Sequence, residues 1–271
     1  MRLVTLTRFS IATLTCCLAF AQPPLMSPKQ LDRLVDRIAL YPDSLLAQVL
    51  AAATYPDQIP DADMWANQHR YLHGDELARA IEDDRVPWDP AVQALLPFPD
   101  VLHMMNSDFD WMRSLGEQYM QQQAAVMDAV ERDRQKAYDF GYLRSGPYLN
   151  VVVTGPHLIA IDAVNPALLY VPVYNPAVVF VAPRPGFVVG GAISFGPMGI
   201  ALGAAFAPWG WGAVHIGWAT HEVIIHGHPW GRTWANRGTY VHPYAARRWA
   251  PAERREGHRL EEHHDRGRGR R

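Results

Sequence analysis

The sequence predicts a mainly α protein with a small β module, an α+β fold class, on the basis of three observations. Up to about residue 144, apolar residues recur at i, i+3, i+4 and i+7, the spacing of amphipathic helices. From Pro147 they occur instead in short runs between Gly-Pro and Asn-Pro pairs, as in β-strands. Residues 185–221 contain no Asp, Glu, Lys or Arg but nine Gly and three Trp. We therefore expect an N-terminal bundle of short helices closed by one long helix, then a β meander, a Gly-rich apolar segment and a disordered tail.

Residues 1–21 have the features of a secretory signal peptide. Arg2 and Arg8 are positive, residues 9–20 are apolar, and Ala19-Phe20-Ala21 fits a cleavage site between small residues. The apolar stretch is too short to span a bilayer. We expect an exported protein of the periplasm or cell envelope, and anchoring in the inner membrane stays open.

Both cysteines, Cys16 and Cys17, lie within this leader. The mature chain is therefore expected to have no disulfide, no thiol nucleophile and no thiolate metal ligand. Lipidation at Cys16 or Cys17 remains an alternative.

The helical domain is expected over residues 27–144. A Tyr-Pro-Asp unit at residues 41–43 recurs at 55–57, and Phe98-Pro99-Asp100 is similar. In each copy Pro is expected to end one helix and Asp to cap the next. The one long helix is predicted over about residues 108–142, with the three glutamines 121–123 facing solvent.

The small β module is expected over residues 147–184. Its apolar runs are 148–153, 158–163, 168–173 and 178–181, which we interpret as the four strands of a meander. Residues 222–244 are predicted to be a short β or irregular segment. The Arg- and His-rich residues 245–271 are predicted to be disordered because they have few apolar side chains.

Several motifs together resemble a bacterial family, domain-of-unknown-function family 3300. They are residues 40–50 (LYPDSLLAQVL), Tyr55-Pro56, residues 88–95 (WDPAVQAL), 98–102 (FPDVL) and 170–176 (YVPVYNP). The resemblance covers roughly residues 27–182 and implies a secreted or envelope protein of bacteria. It implies no activity and no catalytic residues, and the Arg- and His-rich tail departs from the family's Asn-rich pattern.

The uncharged segment 185–221 has two interpretations. In the first, small residues spaced by four form a stripe on a helix for helix packing or self-association. Residues 187–207 are long enough to span a membrane, and Trp209 and Trp211 would then lie at the membrane interface. The residues of this stripe are Gly186, Gly190, Gly199 and Gly203. Pro197 at its centre favours the alternative, a buried or self-associating segment of a fully exported protein.

The charge distribution suggests the partners. Residues 22–185 carry a net charge of −9, whereas residues 232–271 carry +6. The basic tail is expected to bind anionic surfaces without selectivity. We therefore expect membrane lipid or other envelope components as partners, with a homo-oligomer as an alternative, and no specific recognition of nucleic acid.

No cofactor and no catalytic residue are predicted, because the sequence lacks a nucleophile elbow, a phosphate-binding loop and a dinucleotide fingerprint. Weak candidates for a divalent-metal site are His215, His221, His226 and His228. His221 and His226 are five apart and do not share a helix face, so exposed polar residues along a strand are favoured over a site. We interpret His69 and His73 as helix-end residues.

The last candidates are three tryptophans, Trp65, Trp88 and Trp111, which could line a ligand groove but are more often core anchors. The function we expect is that of a non-enzymatic, membrane-associated interaction or scaffold protein of the envelope. The alternatives are an enzyme or binding protein for a cell-wall or lipid-derived substrate, and a metal-binding protein.

Overall fold

The computed structural model describes residues 22–184, 186 and 190–242, and it confirms a mainly helical α+β fold. The leader 1–21 and the tail 245–271 lie outside the described residues. The helices are α1 (Pro28–Val35), α2 (Asp43–Ala52), α3 (Ile59–Gln68), α4 (Gly74–Asp83), α5 (Pro90–Gln93), α6 (Pro99–Ser107), α7 (Phe109–Gln121), α8 (Gln123–Asp139) and α9 (Pro176–Val179). Two 3₁₀ helices add Pro56–Gln58 and Ala204–Trp209.

The core is built around α2, which is buried on nearly every side. Nine of its ten residues are buried, and only Ser44 is partly exposed. A helix that is apolar all round is stable only when other elements surround it. Here α5, α7 and the strands described below pack against it.

The predicted single long helix is wrong, because the structure has two helices, α7 and α8, joined at Gln122. The φ and ψ angles of Gln122 are −141° and 54°, which interrupts the helical path. Its side-chain amide donates to the carbonyl of Met26 at 3.3 Å, and Gln118 accepts from the Met26 N–H at 3.0 Å. Glutamines 121–123 are thus partly buried and do not face solvent as predicted. Because the helical path is interrupted at Gln122, α8 turns back and packs against α1.

The strands pair differently from a meander. They are β1 (Leu149–Gly155), β2 (Leu158–Ala163), β3 (Leu168–Leu169), β4 (Pro172–Tyr174), β5 (Ile193–Phe195), β6 (Ile200–Ala201), β7 (Val214–Gly217), β8 (Glu222–Ile225) and β9 (His228–Pro229). β1 and β2 form the expected antiparallel hairpin, but β3 pairs with β6 and β4 with β5. The run 178–181 is not a strand, because Asn175 and Pro176 start the short helix α9, with Asn175 Oδ1 accepting from the Ala177 N–H at 2.9 Å.

The glycine-rich segment does not form the helix on which its predicted small-residue stripe depends. Its described residues form β5, β6, a 3₁₀ helix and β7, and Gly186 and Gly203 have φ angles of +86° and +45°. Such left-handed residues cannot continue a right-handed helix. The segment supplies the helical core with Leu202, Phe206, Trp209, Trp211 and Trp218. Among the helices of the described residues, none has the length and apolar character needed to cross a bilayer.

The segment predicted as short β or irregular begins with β8, the central strand of the three-stranded sheet β7–β8–β9. Val223 and Ile225 of β8 are fully buried, whereas Glu222 and Ile224 between them are partly exposed. This alternation is the expected pattern of a strand with one face on the core. β7 packs against α2, so this sheet contributes to the same core as the helices.

Candidate functional site

A buried ion pair joins α2 to α8 at the centre of the molecule. Arg134 Nη1 lies 2.6 Å from Asp43 Oδ1, and the two side chains are 0% and 9% exposed. Asp43 Oδ1 also accepts from the Ile161 N–H at 3.2 Å, and its Oδ2 accepts from Trp218 Nε1 at 2.7 Å. The prediction that the Asp of each unit caps the next helix is therefore wrong. Pro42 is the N-cap of α2, and the Asp43 side chain points to other elements. In the other two units Tyr55 and Phe98 hold the N-cap positions.

The remaining donors of Arg134 bind the segment before α2 and strand β2. Its Nε donates to the Ala39 carbonyl at 2.8 Å, its Nη2 to the Tyr41 carbonyl at 2.9 Å, and its Nη1 also to the Ile159 carbonyl at 2.8 Å. The guanidinium carbon lies 4.6 Å from the ring centroid of Trp218. A buried charge is tolerated when it is paired and hydrogen-bonded in this way.

Glu131, one helical turn before Arg134, is the unusual group of this region. Its Oε2 accepts from the Ile159 N–H at 2.8 Å, whereas Oε1 has no hydrogen-bond partner among the described residues. The residue is only 6% exposed. Burial raises the pKa of Glu131 to about 7, although the Arg134 charge and the Ile159 N–H act in the opposite direction.

Glu131 lies in the wall of an open cleft of about 500 Å³. The cleft is bounded by one face of α8, by the turn between β1 and β2, and by the turn between β7 and β8. Its lining includes Asp128, Glu131, Arg132, Gln135, Lys136, Pro156, His157, Leu158, Trp218, Ala219 and His221. The five residues from α8 follow the spacing i, i+3, i+4, i+7 and i+8, which places them on one helix face.

Two histidines stand at the tips of the two turns. His157 and His221 have φ angles of +62° and +55°, a left-handed conformation that is uncommon for residues with a Cβ. The ring Nε2 of His221 lies 2.8 Å from Asp128 Oδ1, so the β7–β8 turn is tied to α8 across the cleft.

The two cations of the cleft are neutralised by neighbouring carboxylates. Arg132 contacts Asp32 Oδ1 through Nε at 2.8 Å and Nη2 at 2.6 Å. Lys136 Nζ lies 2.7 Å from Asp133 Oδ1 and 3.5 Å from Asp32 Oδ2. Burial raises the pKa of Asp133 to about 6, with the Lys136 charge lowering it in part. The wall of the cleft therefore contains a buried, unpaired acceptor oxygen on Glu131, while the cations of the cleft already have partners.

The four histidines considered for metal binding do not form a site. His215 lies in β7 opposite Ile224, His228 lies in β9, His226 is in the turn between β8 and β9, and His221 pairs with Asp128. Across residues 22–184, 186 and 190–242, no group of three or more His, Cys, Asp or Glu is arranged to hold a metal ion.

The three tryptophans of the predicted groove are divided between two places. The Trp65 and Trp88 rings meet edge to face with centroids 6.4 Å apart, and Trp65 Nε1 donates to Asp84 Oδ2 at 2.7 Å. Trp111 instead donates to the Leu34 carbonyl at 2.8 Å and carries Arg37 over its ring at 5.0 Å. All three are partly buried against the main core, and Trp111 packs beside α1.

His69 and His73 were expected at the C-terminal end of one helix. His69 is the C-cap of α3, but the expectation is wrong for His73, because α3 ends at Gln68 and His73 is the N-cap of α4. His69 Nδ1 lies 2.9 Å from the Trp65 carbonyl, and its ring stacks on Trp65 with centroids 3.9 Å apart. His69 therefore contacts the last turn of α3, as expected for a residue at that end of a helix.

Of the cleft residues, the sequence pattern singles out only His221, as a metal candidate. Asp128 and Glu131 fall within the predicted long helix without a role of their own. The helical repeat of polar residues from 128 to 136 is a signal that could have identified the face of α8, but nothing local indicates that Trp218 and His221 return to it from ninety residues further along the chain.

A second polar cluster covers Tyr55 and Asp89, which belong to the motifs quoted above. His242 Nε2 lies 2.7 Å from Asp89 Oδ1 and 3.3 Å from Tyr55 Oη, and the side chains of His242 and Asp89 are 7% and 10% exposed. The Arg232 guanidinium carbon lies 3.7 Å from the centroid of the Tyr55 ring. The chain after β9 therefore packs across the helical region.

These features define a mainly helical α+β protein whose cleft is shared by a helix, a hairpin and a later β turn. The chain belongs to the family described as protein of unknown function (DUF3300), whose model matches residues 27–185, more than half of the chain. This region includes the buried pair Asp43–Arg134 and Glu131. Trp218 and His221, which complete the cleft, lie beyond it.

One curated relative is the uncharacterized protein YacH of Escherichia coli (strain K12). The two are 38% identical over 128 residues, which is 47% of this chain and 20% of YacH. The match thus spans about a fifth of the length of that relative. No solved structure matches the chain.

Proposed function

We propose that this protein is an exported, non-enzymatic interaction protein of the bacterial cell envelope, and that it binds an envelope component in the cleft beside Glu131. The observation that carries this proposal is the cleft itself. Three separate parts of the chain meet there around a buried acid with a free acceptor oxygen. Concave sites with a few convergent polar groups are the usual places where proteins bind ligands.

The proposed location rests on the sequence of residues 1–21, which has the charge, length and cleavage pattern of a signal peptide. The same reasoning makes the Arg-rich residues 245–271 a contact to anionic envelope surfaces, either lipid or polymer. A tagged chain should appear in the periplasmic or envelope fraction, shortened at its N-terminus by about the leader. A full-length chain in the cytoplasm would contradict the proposal.

The cleft is tested by photo-crosslinking in living cells. A photoreactive amino acid replaces Ala219, which is exposed and lines the cleft; the matched control replaces Met64 on α3, which is 57% exposed and does not line the cleft. We expect an envelope component captured from position 219 and not from position 64. Equal capture at both positions, or none at 219, would rule out this cleft as the binding surface.

An enzyme acting on a cell-wall or lipid-derived substrate is the second candidate, and one observation favours it. A carboxyl group whose pKa is about 7, as for Glu131, can serve as a general acid or base at neutral pH. Purified envelope fractions incubated with the protein would then release a product, and Glu131→Gln would abolish that release. Capture at Ala219 without product formation would favour the binding protein.

A further inference from the structure

The charges of the cleft indicate what kind of ligand it accepts. Its cations are already paired, because Arg132 and Lys136 contact Asp32 and Asp133. Its buried acceptor is not, because Glu131 Oε1 has no hydrogen-bond partner among the described residues. An anionic ligand would have to displace Asp32, whereas a cationic donor that reaches the buried wall of the cleft would supply the hydrogen bond that Glu131 Oε1 lacks.

We propose that the cleft binds a primary ammonium group, with Glu131 as its counter-ion. This inference rests on the proposed binding function and names the chemistry of the ligand. An ammonium group has three donors on a compact charge and so can satisfy a carboxylate oxygen in a narrow site. The side chain of Trp218 and the Pro156–Leu158 turn supply apolar walls for the carbon chain that carries it.

The groups around Glu131 are compatible with a bound cation. Arg134 repels a cation, but its guanidinium is paired with Asp43 at 2.6 Å and packs against the Trp218 ring. The other charged or titratable groups facing this region are Asp128 on the same helix, Asp32 on α1 with its two partners Arg132 and Lys136, His157 in the β1–β2 turn and His221 in the β7–β8 turn. The region holds two more carboxylates than cations, so the local field favours a positive ligand when Glu131 is ionised. The carboxylates are Asp32, Asp43, Asp128, Glu131 and Asp133, and the cations are Arg132, Arg134 and Lys136.

Binding is expected to depend on pH because the ammonium group prefers the ionised carboxylate. Burial raises the pKa of Glu131 to about 7, so about a tenth of the carboxylate is ionised at pH 6 and nearly all of it at pH 8. A simple alkylamine has a pKa near that of lysine and stays charged throughout. The affinity should therefore rise about tenfold from pH 6 to pH 8.

The experiment measures binding of butylammonium to the full chain by NMR titration, with N-butylacetamide as the uncharged control. A second pair, trialanine and N-acetyl-trialanine, distinguishes a free amine from the amino terminus of a peptide. We expect saturable binding of the charged member of at least one pair. Equal binding of charged and uncharged members, or stronger binding of butyrate, would overturn the proposal.

Variants assign the effect to Glu131. Glu131→Gln should weaken butylammonium binding at pH 8 by about tenfold or more and remove the pH dependence. Arg132→Gln should strengthen binding, because it frees the Asp32 carboxylate. Asp110→Asn, a change at a carboxylate that is 88% exposed, is the matched control and should alter the affinity by less than about twofold. A folded Glu131→Gln protein with unchanged affinity would rule out this counter-ion.

The two proposals can fail separately. If crosslinking from Ala219 captures nothing in cells while butylammonium binds with the expected pH and variant pattern, the envelope role is wrong and the ammonium site stands. If Ala219 captures a component that carries no amine, or Glu131→Gln leaves its capture unchanged, the cleft has the proposed function and the ammonium site is wrong.

Discussion

Asp43 accepts hydrogen bonds from Arg134, Ile161 and Trp218, which come from three different parts of the chain. Removing the carboxylate would leave a fully buried guanidinium without its counter-charge. We expect Asp43→Ala to lower the free energy of unfolding by about 3–5 kcal/mol. Asp110→Ala breaks an ion pair whose side chains are 52% and 88% exposed and should cost less than about 1 kcal/mol. Urea denaturation of both variants measures the difference, and similar values would contradict the role given to Asp43.

Glu131 leads to a prediction about the pH dependence of stability. Burial raises its pKa from the ordinary 4.5 to about 7, so the folded chain binds this proton more tightly than the unfolded chain does. The contribution of this protonated carboxyl group to the free energy of unfolding is greatest below about pH 4.5 and is lost as the pH rises towards 7. We expect Glu131→Gln to be more stable than the wild type at pH 8, on the order of 1–3 kcal/mol, and nearly equal to it at pH 4.5.

Thermal or urea denaturation of the two proteins between pH 4.5 and 8 tests this prediction. Asp133, whose pKa is raised to about 6, adds a slope of the same sign in both proteins, so only the difference between them reports on Glu131. A difference that does not change with pH would show that the Glu131 carboxyl group titrates normally. If the variant is more stable but no longer binds an amine, loss of binding cannot be attributed to loss of the fold.

Among the elements, the close packing of α7 on the end of α2 depends on Gly116. A Cβ at this position would lie 1.9 Å from the Ala53 carbonyl oxygen and 2.5 Å from its carbon, both atoms of the backbone. We expect Gly116→Ala to destabilise the protein by about 2–3 kcal/mol or more, because the two helices must separate. Gly146→Ala, where a Cβ meets nothing within 4 Å, should be neutral or stabilising by up to about 1 kcal/mol. Comparable losses in the two variants would argue against this packing.

The elements also show what the sequence could predict and what it could not. Asp89 and Asp108 lie directly before α5 and α7, and their side chains accept from the N–H groups of Ala91 and Trp111. Caps of this kind depend only on neighbouring residues, so a local pattern can indicate them. The break at Gln122 depends on contacts with Met26, almost a hundred residues away. The two-residue strand β3 is too short to reveal its partner β6, which lies some thirty residues further on. Local patterns therefore located most helices, but long-range contacts decided the breaks and the strand pairing.

At the scale of the whole molecule, the large side chains of the glycine-rich segment complete the helical core. This agrees with the second of its two interpretations, a buried segment, whereas its lack of charge was equally compatible with a membrane span. Trp211 Nε1 donates to the Ala94 carbonyl at 3.0 Å, and Gln48 of α2 donates to the Trp209 carbonyl at 3.0 Å. Apolar composition alone cannot distinguish these outcomes, because a membrane span and a core segment both exclude charge. The backbone conformation decides between a membrane span and a core segment, because the glycines with positive φ interrupt a helix and the tryptophans are buried in the core.

This packing predicts that the family-matched region is not a complete folding unit. A chain ending at residue 185 would lack Phe206, Trp209, Trp211 and Trp218, each at most 5% exposed. Burying one large apolar side chain contributes roughly 1.5–3 kcal/mol, so four contribute about 6–12 kcal/mol, comparable to the whole stability of a typical domain. We expect this shortened chain to lose its near-ultraviolet circular dichroism and its cooperative thermal transition. A chain ending at residue 244 keeps these side chains and should melt within a few degrees of the full chain. A cooperative transition in the shorter chain would mean that residues 27–185 fold without the tryptophans that fill their core in the structure.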